Sequence, residues 1–293
     1  MTRVLAVGIA TLDIVNEVDA YPREDSEVRA CAQSFRRGGN ATNSLVVLSQ
    51  LGHQCEWAGV WSDGTESGPI LEDLEFHDIG VQYCRRVKRG RMPVSCITLN
   101  RASGSRTIVH YRALPEYDSR SFSRIPLAGF DWVHFEGRNV DETLAMMQLV
   151  RRTAPALPIS LEVEKHRAGI EHLFPLADLI LFCGLIAVDL GLEPAEFLRQ
   201  TNVLAPMADL VCSLGEQGAT GLESAGNEVY CSASKLPAVI DTIGAGDTFN
   251  AGMIDARLCG ARLEQAMRFA CSLAGNKCAQ SGFRGLPVPA RDF

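Results

Sequence analysis

The 293-residue chain has no run of about 18 uninterrupted apolar residues, the length a bilayer-crossing helix requires. Met1 to Val15 is apolar but broken by Arg3 and Asp13, so neither a secretory leader nor a membrane span is expected there. Cytoplasmic residence is the expectation. Basic blocks are missing as well: 28 Lys and Arg face 35 Asp and Glu, a net charge of −7, which argues against nucleic acid as a partner. None of the ten cysteines forms a C-x-x-C pair, and Cys55, Cys96, Cys212 and Cys271 sit inside apolar runs. Small buried thiols explain them better than a disulfide framework or a zinc site. Two nucleotide fingerprints are also absent. Without G-x-x-x-x-G-K-[ST] the chain is not a P-loop enzyme, and without G-x-G-x-x-G after its first strand a Rossmann dehydrogenase is disfavoured.

What is present alternates. Residues 3–9 form a near-continuous apolar run, as expected of a strand in a parallel sheet covered on both faces. Further strand-like runs lie at 56–61, 130–135, 158–163, 178–182 and 208–214. Helical patterns lie at 66–76, 141–152, 192–201, 247–258 and 262–279. This order predicts right-handed βαβ units and a doubly wound α/β fold. Gly38-Gly39-Asn40 opens another helix, with Leu45, Leu48 and Leu51 on one side and Gly52 as its C-terminal cap. Two segments depart from the pattern. Residues 14–35 turn at Pro22–Ser26, and residues 92–111 turn at Ala102-Ser103-Gly104-Ser105; both read as hairpins. They predict a small β-sheet beside one main domain over 1–293, from insertions at about 12–36 and 91–113. Residues 219–232 read as a hairpin on the sheet edge.

The densest chemistry lies in Asp241-Thr242-Ile243-Gly244-Ala245-Gly246-Asp247-Thr248-Phe249-Asn250, after a short apolar strand Ala238–Ile240. Two glycines lead into a helix start, where free amides and the macrodipole favour an anion. The amides of Ala245, Gly246 and Asp247 are candidate donors to a transferring phosphoryl group. Asp247 can cap that helix or act as general base beside a phosphate. Asp13 lies just past the first strand, at the end where ligands collect in open α/β sheets. Arg36-Arg37-Gly38-Gly39-Asn40-Ala41-Thr42-Asn43 adds two amides three residues apart, able to donate to and accept from hydroxyls. Glu136 and Arg138 follow the 130–135 strand, as a salt bridge or as part of a sugar site.

The Asp-Thr-x-Gly-Ala-Gly-Asp-Thr-Phe-Asn-Ala-Gly run resembles the C-terminal signature of the ribokinase-like (phosphofructokinase-B type) sugar kinases. The likeness is specific to the ketohexokinase branch in Tyr21–Glu27, Arg37–Asn43, Asn100–Val109, His134–Asn139, Glu162–Lys165 and Ala274–Cys278 with Gly282-Phe283, in order along the whole chain. It implies an ATP-dependent kinase acting on a primary hydroxyl of a ketose, most simply fructose to fructose 1-phosphate. Another sugar or sugar acid, or a weakly catalytic sugar- or nucleotide-binding relative, are the alternatives. The resemblance implies that Asp13, Gly39, Asn40 and Asn43 bind sugar, with Arg138 near it, and that Asp247 is the base beside Gly244, Ala245 and Gly246. It implies a nucleotide along Gly215, Glu216, Gln217 and Gly218 and the Gly244–Asp247 loop, with Arg106 reaching the phosphates and Cys278 near the adenine. The cofactors implied are ATP and Mg²⁺, with K⁺ a candidate activator. The small sheet is implied to act as a lid that clasps a second subunit, a homodimer in which Asp25 reaches the neighbour's sugar site. One departure stands out. Many relatives carry an Asn-x-x-Glu that helps position Mg²⁺, and here Cys183-Gly184-Leu185-Ile186 stands after Asp178–Phe182. Glu162 or Glu164 are the candidate substitutes.

Overall fold

The computed structural model describes residues 2–293. Its strands run β1 (Arg3–Val7), β2 (Thr11–Val18), β3 (Ala32–Gly38), β4 (Gln54–Ala58), β5 (Val60–Ser62), β6 (Ile79–Gly80), β7 (Arg85–Val87) and β8 (Val94–Asn100). They continue as β9 (Arg106–Tyr111), β10 (Trp132–Glu136), β11 (Ile159–Val163), β12 (Leu179–Cys183), β13 (Asp209–Ser213), β14 (Ala219–Leu222) and β15 (Glu228–Cys231). The helices are α1 (Asn40–Gln50), α2 (Ser67–Phe76), α3 (Ser119–Phe122), α4 (Val140–Thr153), α5 (Leu185–Asp189), α6 (Pro194–Asn202), α7 (Ala245–Leu258) and α8 (Leu263–Cys278).

Nine strands form the main sheet in the order β15-β14-β13-β12-β11-β10-β1-β4-β6. From β13 to β6 every pairing is parallel, and β14 and β15 add an antiparallel edge. The apolar runs read from sequence occupy its centre: β1, β10, β11 and β12 are buried along nearly their whole length. Burial on both faces is why they read as continuous rather than alternating. Helices α1 and α8 pack on the sheet with α7 against both, and Gly252 of α7 is small enough to lie against Ala270 of α8.

The two departing segments form a separate four-stranded sheet, β3-β2-β8-β9. Each predicted hairpin is antiparallel, and the two join through a parallel β2–β8 pairing. Val15, Ile97 and Leu99 make its own small core with Ile243 against it. Its other side is open, with Phe35, Val109 and Tyr111 exposed on it, and edge strand β9 is exposed along its whole length.

Three local expectations change. The run 56–61 breaks at Gly59, where any Cβ would collide with the Trp57 indole, so β5 leaves the main sheet and pairs with β7. Ala238–Ile240 is no buried strand. It is an extended strap with Val239 and Ile240 about 60% exposed (59% and 58%), tied by the Ile240 amide to the Cys278 carbonyl. Asp13 lies not on the loop past β1 but inside β2, opposite Arg36 and Ser95.

Candidate active site

The Gly-Ala-Gly-Asp loop is anchored from below. The Asp241 carboxylate accepts from Lys277 Nζ at 3.0 Å, Arg36 Nη1 at 2.8 Å and the amides of Ile243 at 2.9 Å and Gly282 at 3.0 Å. Lys277 Nζ also donates to the Asp241 carbonyl at 2.9 Å and is wholly buried. Burial pushes the Asp241 carboxyl up, but Lys277 and the two amides outweigh it, and the group lies below its ordinary value. Gly244 then caps α7 with φ 79°, in the left-handed region. A side chain there is strained and runs into the Phe283 ring. Gly244→Ala is therefore expected to reduce kcat at least about tenfold and to lower Tm by a few degrees, since misfit at such a position costs on the order of 1–3 kcal/mol. Steady-state kinetics with a melting curve checks both.

The Ala245 amide closes a turn onto the Thr242 carbonyl at 3.2 Å, so of the three donors expected it is the one already engaged. The amides of Gly246 and Asp247 have no acceptor among the described residues, and Gly246 is exposed beside open space. The Asp247 side chain makes no cap bond, which removes the cap reading. It is buried instead, and its Oδ2 accepts from Asn43 Nδ2 at 2.6 Å. Burial pushes its carboxyl up to about 7, with Glu164 and Asp13 adding to the rise and Asn43 and Arg37 opposing it.

Asn43 is held in place. Its Oδ1 accepts from Arg37 Nη1 at 2.6 Å, and Arg37 is buried between Asn43, Thr42 and Asp73, the last 2.8 Å away. This fixes which way the Asn43 amide faces and so which atom meets Asp247. Gly39, with φ 103°, packs its Cα against the Ile9 carbonyl and starts α1. Asn40, first residue of α1, donates to Glu162 Oε1 at 3.0 Å, and Asn250 of α7 donates to the same oxygen at 3.1 Å. Glu162 Oε2 is buried without a partner, and burial with nearby Asp247 raises that carboxyl well above its ordinary value. Glu164 is exposed just beyond β11. Among the described residues no group of three or more His, Cys, Asp or Glu is arranged to hold a metal ion.

Asp13 is buried and accepts from Thr11 Oγ1 at 2.7 Å. Burial raises its carboxyl, against hydrogen bonds from Thr11 and Ser95. Glu136 Oε1 accepts from the amides of Ile9 at 3.3 Å and Ala41 at 2.6 Å, and burial lifts the carboxyl to about 7. Arg138 Nε is 3.8 Å from Glu136 Oε2. The nucleotide candidates lie on three separate elements. Gly215, Glu216 and Gln217 form a turn after β13 closed by Gly218, and Arg106 Nη1 donates to Thr242 Oγ1 at 3.0 Å, over the loop. Cys278 ends α8 half-buried, with its carbonyl holding the strap. Asp13, Asn40 and Asn43 thus converge with Asp247, more than 200 residues further along the sequence. Arg37, Asn250 and Lys277 were not singled out from the sequence; Asn250, three residues past Asp247 on one helix face, is the one that spacing could have found.

Residues 1–291 match the pfkB family of carbohydrate kinases. The chain belongs to that family. It is 37% identical to mouse ketohexokinase over 97% of this chain and 98% of that one. A putative ribokinase from Agrobacterium tumefaciens has the same fold at TM-score 0.85, 24% identity, covering 98% of this chain and 94% of its own. Arabidopsis thaliana ribokinase, solved with ribose and ATP, superposes at TM-score 0.82 with 21% identity, covering 98% and 96%. The protein is an ATP-dependent carbohydrate kinase of the ribokinase-like fold, a ketohexokinase-like phosphotransferase. No helix among the described residues is long and apolar enough to cross a membrane.

Proposed function

We propose that this pfkB kinase transfers the γ-phosphate of ATP to a primary hydroxyl of a ketose, with fructose to fructose 1-phosphate the first candidate. The observation that carries the reading is Asp247: a buried carboxylate near neutral pKa, aimed by Asn43, three residues past Gly244 and beside unpaired amides. In the reaction Asp247 takes the hydroxyl proton, the oxygen attacks the γ-phosphorus, and the bond to the bridging β–γ oxygen breaks to release ADP. The amides of Gly246 and Asp247 stabilise charge on the transferring group. Asp13, Gly39, Asn40 and Asn43 orient the sugar, and Arg106 with Gly215–Gly218 holds the nucleotide. Glu162, whose Oε2 is buried without a partner, would be the residue to help hold a Mg²⁺ that otherwise leans on phosphates and water, the habit of that ion. When bound, Mg²⁺ neutralises phosphate charge.

The exposed face of the small sheet, with Phe35, Val109 and Tyr111 on it, supports its role as a lid that pairs two copies into a homodimer. Asp25, at an exposed turn with φ 57°, is then the candidate to reach the neighbour's sugar.

A panel of fructose, ribose, tagatose, xylulose and gluconate-type acids, assayed for ADP release with and without K⁺, tests the reading. Phosphorylation of fructose at C1 is the expected result. A strong preference for ribose would defeat the ketose assignment, and silence with every sugar despite ATP binding would defeat the kinase reading. Because a deprotonated Asp247 is the active form and its pKa is about 7, kcat/KM is expected to rise with pH through that value. A flat profile from pH 6 to 8 would remove Asp247 as the base.

A further inference from the structure

The three residues just before Gly244 are all held by the small sheet, and between them they engage each of its four strands. The Asp241 carboxylate accepts from Arg36 Nη1 of β3 at 2.8 Å, and Thr242 Oγ1 accepts from Arg106 Nη1 of β9 at 3.0 Å. Ile243 packs against the cluster of Val15 from β2 with Ile97 and Leu99 from β8, and among the described residues no other partly buried apolar side chain does. Arg36 is fully committed to the joint, with Nε on Ser34 Oγ at 3.1 Å and Nη2 on Ser281 Oγ at 3.3 Å. The polar contacts fix orientation, and the apolar one keeps water out between sheet and loop.

Whatever moves these three residues moves the phosphate loop. The Thr242 carbonyl accepts the Ala245 amide at 3.2 Å in the turn that opens α7, and the Asp241 carboxylate accepts the Ile243 amide at 2.9 Å. Gly244 comes next, with φ 79°, and the unpaired amides of Gly246 and Asp247 follow within three residues. The other side of the joint reaches the sugar candidates. Asp13 lies two residues before Val15 in β2, so both point to the same face of the small sheet, and Asp13 is paired with Arg36 of β3.

Resting on the sugar-kinase reading, we propose that Ile243 is a positioning residue that couples the sugar to the phosphate loop. A sugar held by Asp13 draws β2 onto Ile243, and that contact sets the Gly246 and Asp247 amides for the transferring group. Ile243 acts through Gly244 and not on the reacting atoms. ATP bound without sugar then meets a loop that is not yet set, which limits transfer to water.

The test is amide hydrogen exchange read by mass spectrometry on wild type, Ile243→Ala and Ile243→Val, alongside steady-state ADP release. Each protein is measured with and without a saturating sugar, the one of the panel turned over best, or fructose if none is. In wild type the sugar is expected to slow exchange by about tenfold or more both in β2 and in residues 244–250. In Ile243→Ala the slowing is expected to persist in β2 and vanish in 244–250. Its kcat is expected to fall at least about tenfold, since misplacement by about 1 Å can cost about 10². Ile243→Val, which keeps a branched side chain at the joint, is expected to restore both. A residue that only stabilised the fold would speed exchange broadly and leave the sugar response of the loop intact. If a melting curve shows that Ile243→Ala does not fold, Ile97→Ala, on the other side of the contact, takes its place with the same expectation. Sugar protection of 244–250 in the alanine variant equal to wild type overturns the inference, and so does a wild type in which sugar leaves 244–250 unprotected. Silence of wild type with every sugar overturns the kinase reading, and the exchange comparison, which needs no turnover, then decides this inference by itself.

Discussion

Asp247→Asn is expected to lower kcat by about 10²–10⁴ with ATP and sugar affinity largely kept, the range for loss of a general base. The same change is expected to leave Tm unchanged or raise it by a few degrees. The sign follows from linkage. The carboxyl sits near 7 in the folded protein, whereas an unfolded aspartate titrates near the ordinary value of about 4. Between those values the folded state holds the extra proton, so stability falls as pH rises through the window. An amide carries no such cost, and it can still accept from Asn43. Buried charge at a reaction centre is a known source of instability that activity requires. Steady-state kinetics, nucleotide titration and calorimetric melting at pH 7.5 check both halves. Normal turnover would return Asp247 to a structural role, and a marked loss of Tm would contradict its account as a strained buried acid.

Lys277→Met is expected to carry the largest stability loss. The ammonium is wholly buried and serves the Asp241 carboxylate and carbonyl together. Removing one partner of a buried pair leaves the other uncompensated, which costs about 3–5 kcal/mol. In a chain of this length that corresponds to a fall in Tm on the order of 10 °C. Turnover should fall too, because Asp241 holds the Ile243 and Gly282 amides on either side of Gly244's turn. Adding Asp241→Asn to Lys277→Met is expected to recover part of the stability, since the orphaned charge goes with it, while Arg36 loses its partner in turn. A double variant no more stable than the single would show that Lys277 acts by packing rather than by charge. Denaturant melts of the three variants decide.

The elements were readable where burial leaves a periodic trace. β1, β10, β11, β12 and β13 are buried on both faces and so read as apolar runs, and α4 and α8 match their expected spans to within a residue at each end. The small sheet was legible because its turns carry Pro22 and Gly104. Ala238–Ile240 misled for a physical reason: three apolar residues in a row describe a buried strand and an exposed strap equally well, and only the Cys278 carbonyl says which. Asp13, read as lying just past the first strand, sits inside the next one, because a strand of eight residues begins only four residues after β1 ends.

The sequence by itself determined the family and the parallel sheet with its added small one, and it marked Asp13, Asn40, Asn43 and Asp247 as candidates, because local pattern and residue type carry that information. Tertiary structure alone decided what those residues do to each other. Arg37 orients Asn43 across α1, Asn43 aims Asp247 on α7, and burial lifts that carboxyl to about 7. Lys277 secures the turn of Gly244, and Arg112 and Arg138 share the Glu116 carboxylate. Each of these depends on distance and desolvation between segments far apart in the chain, quantities that residue order does not encode locally.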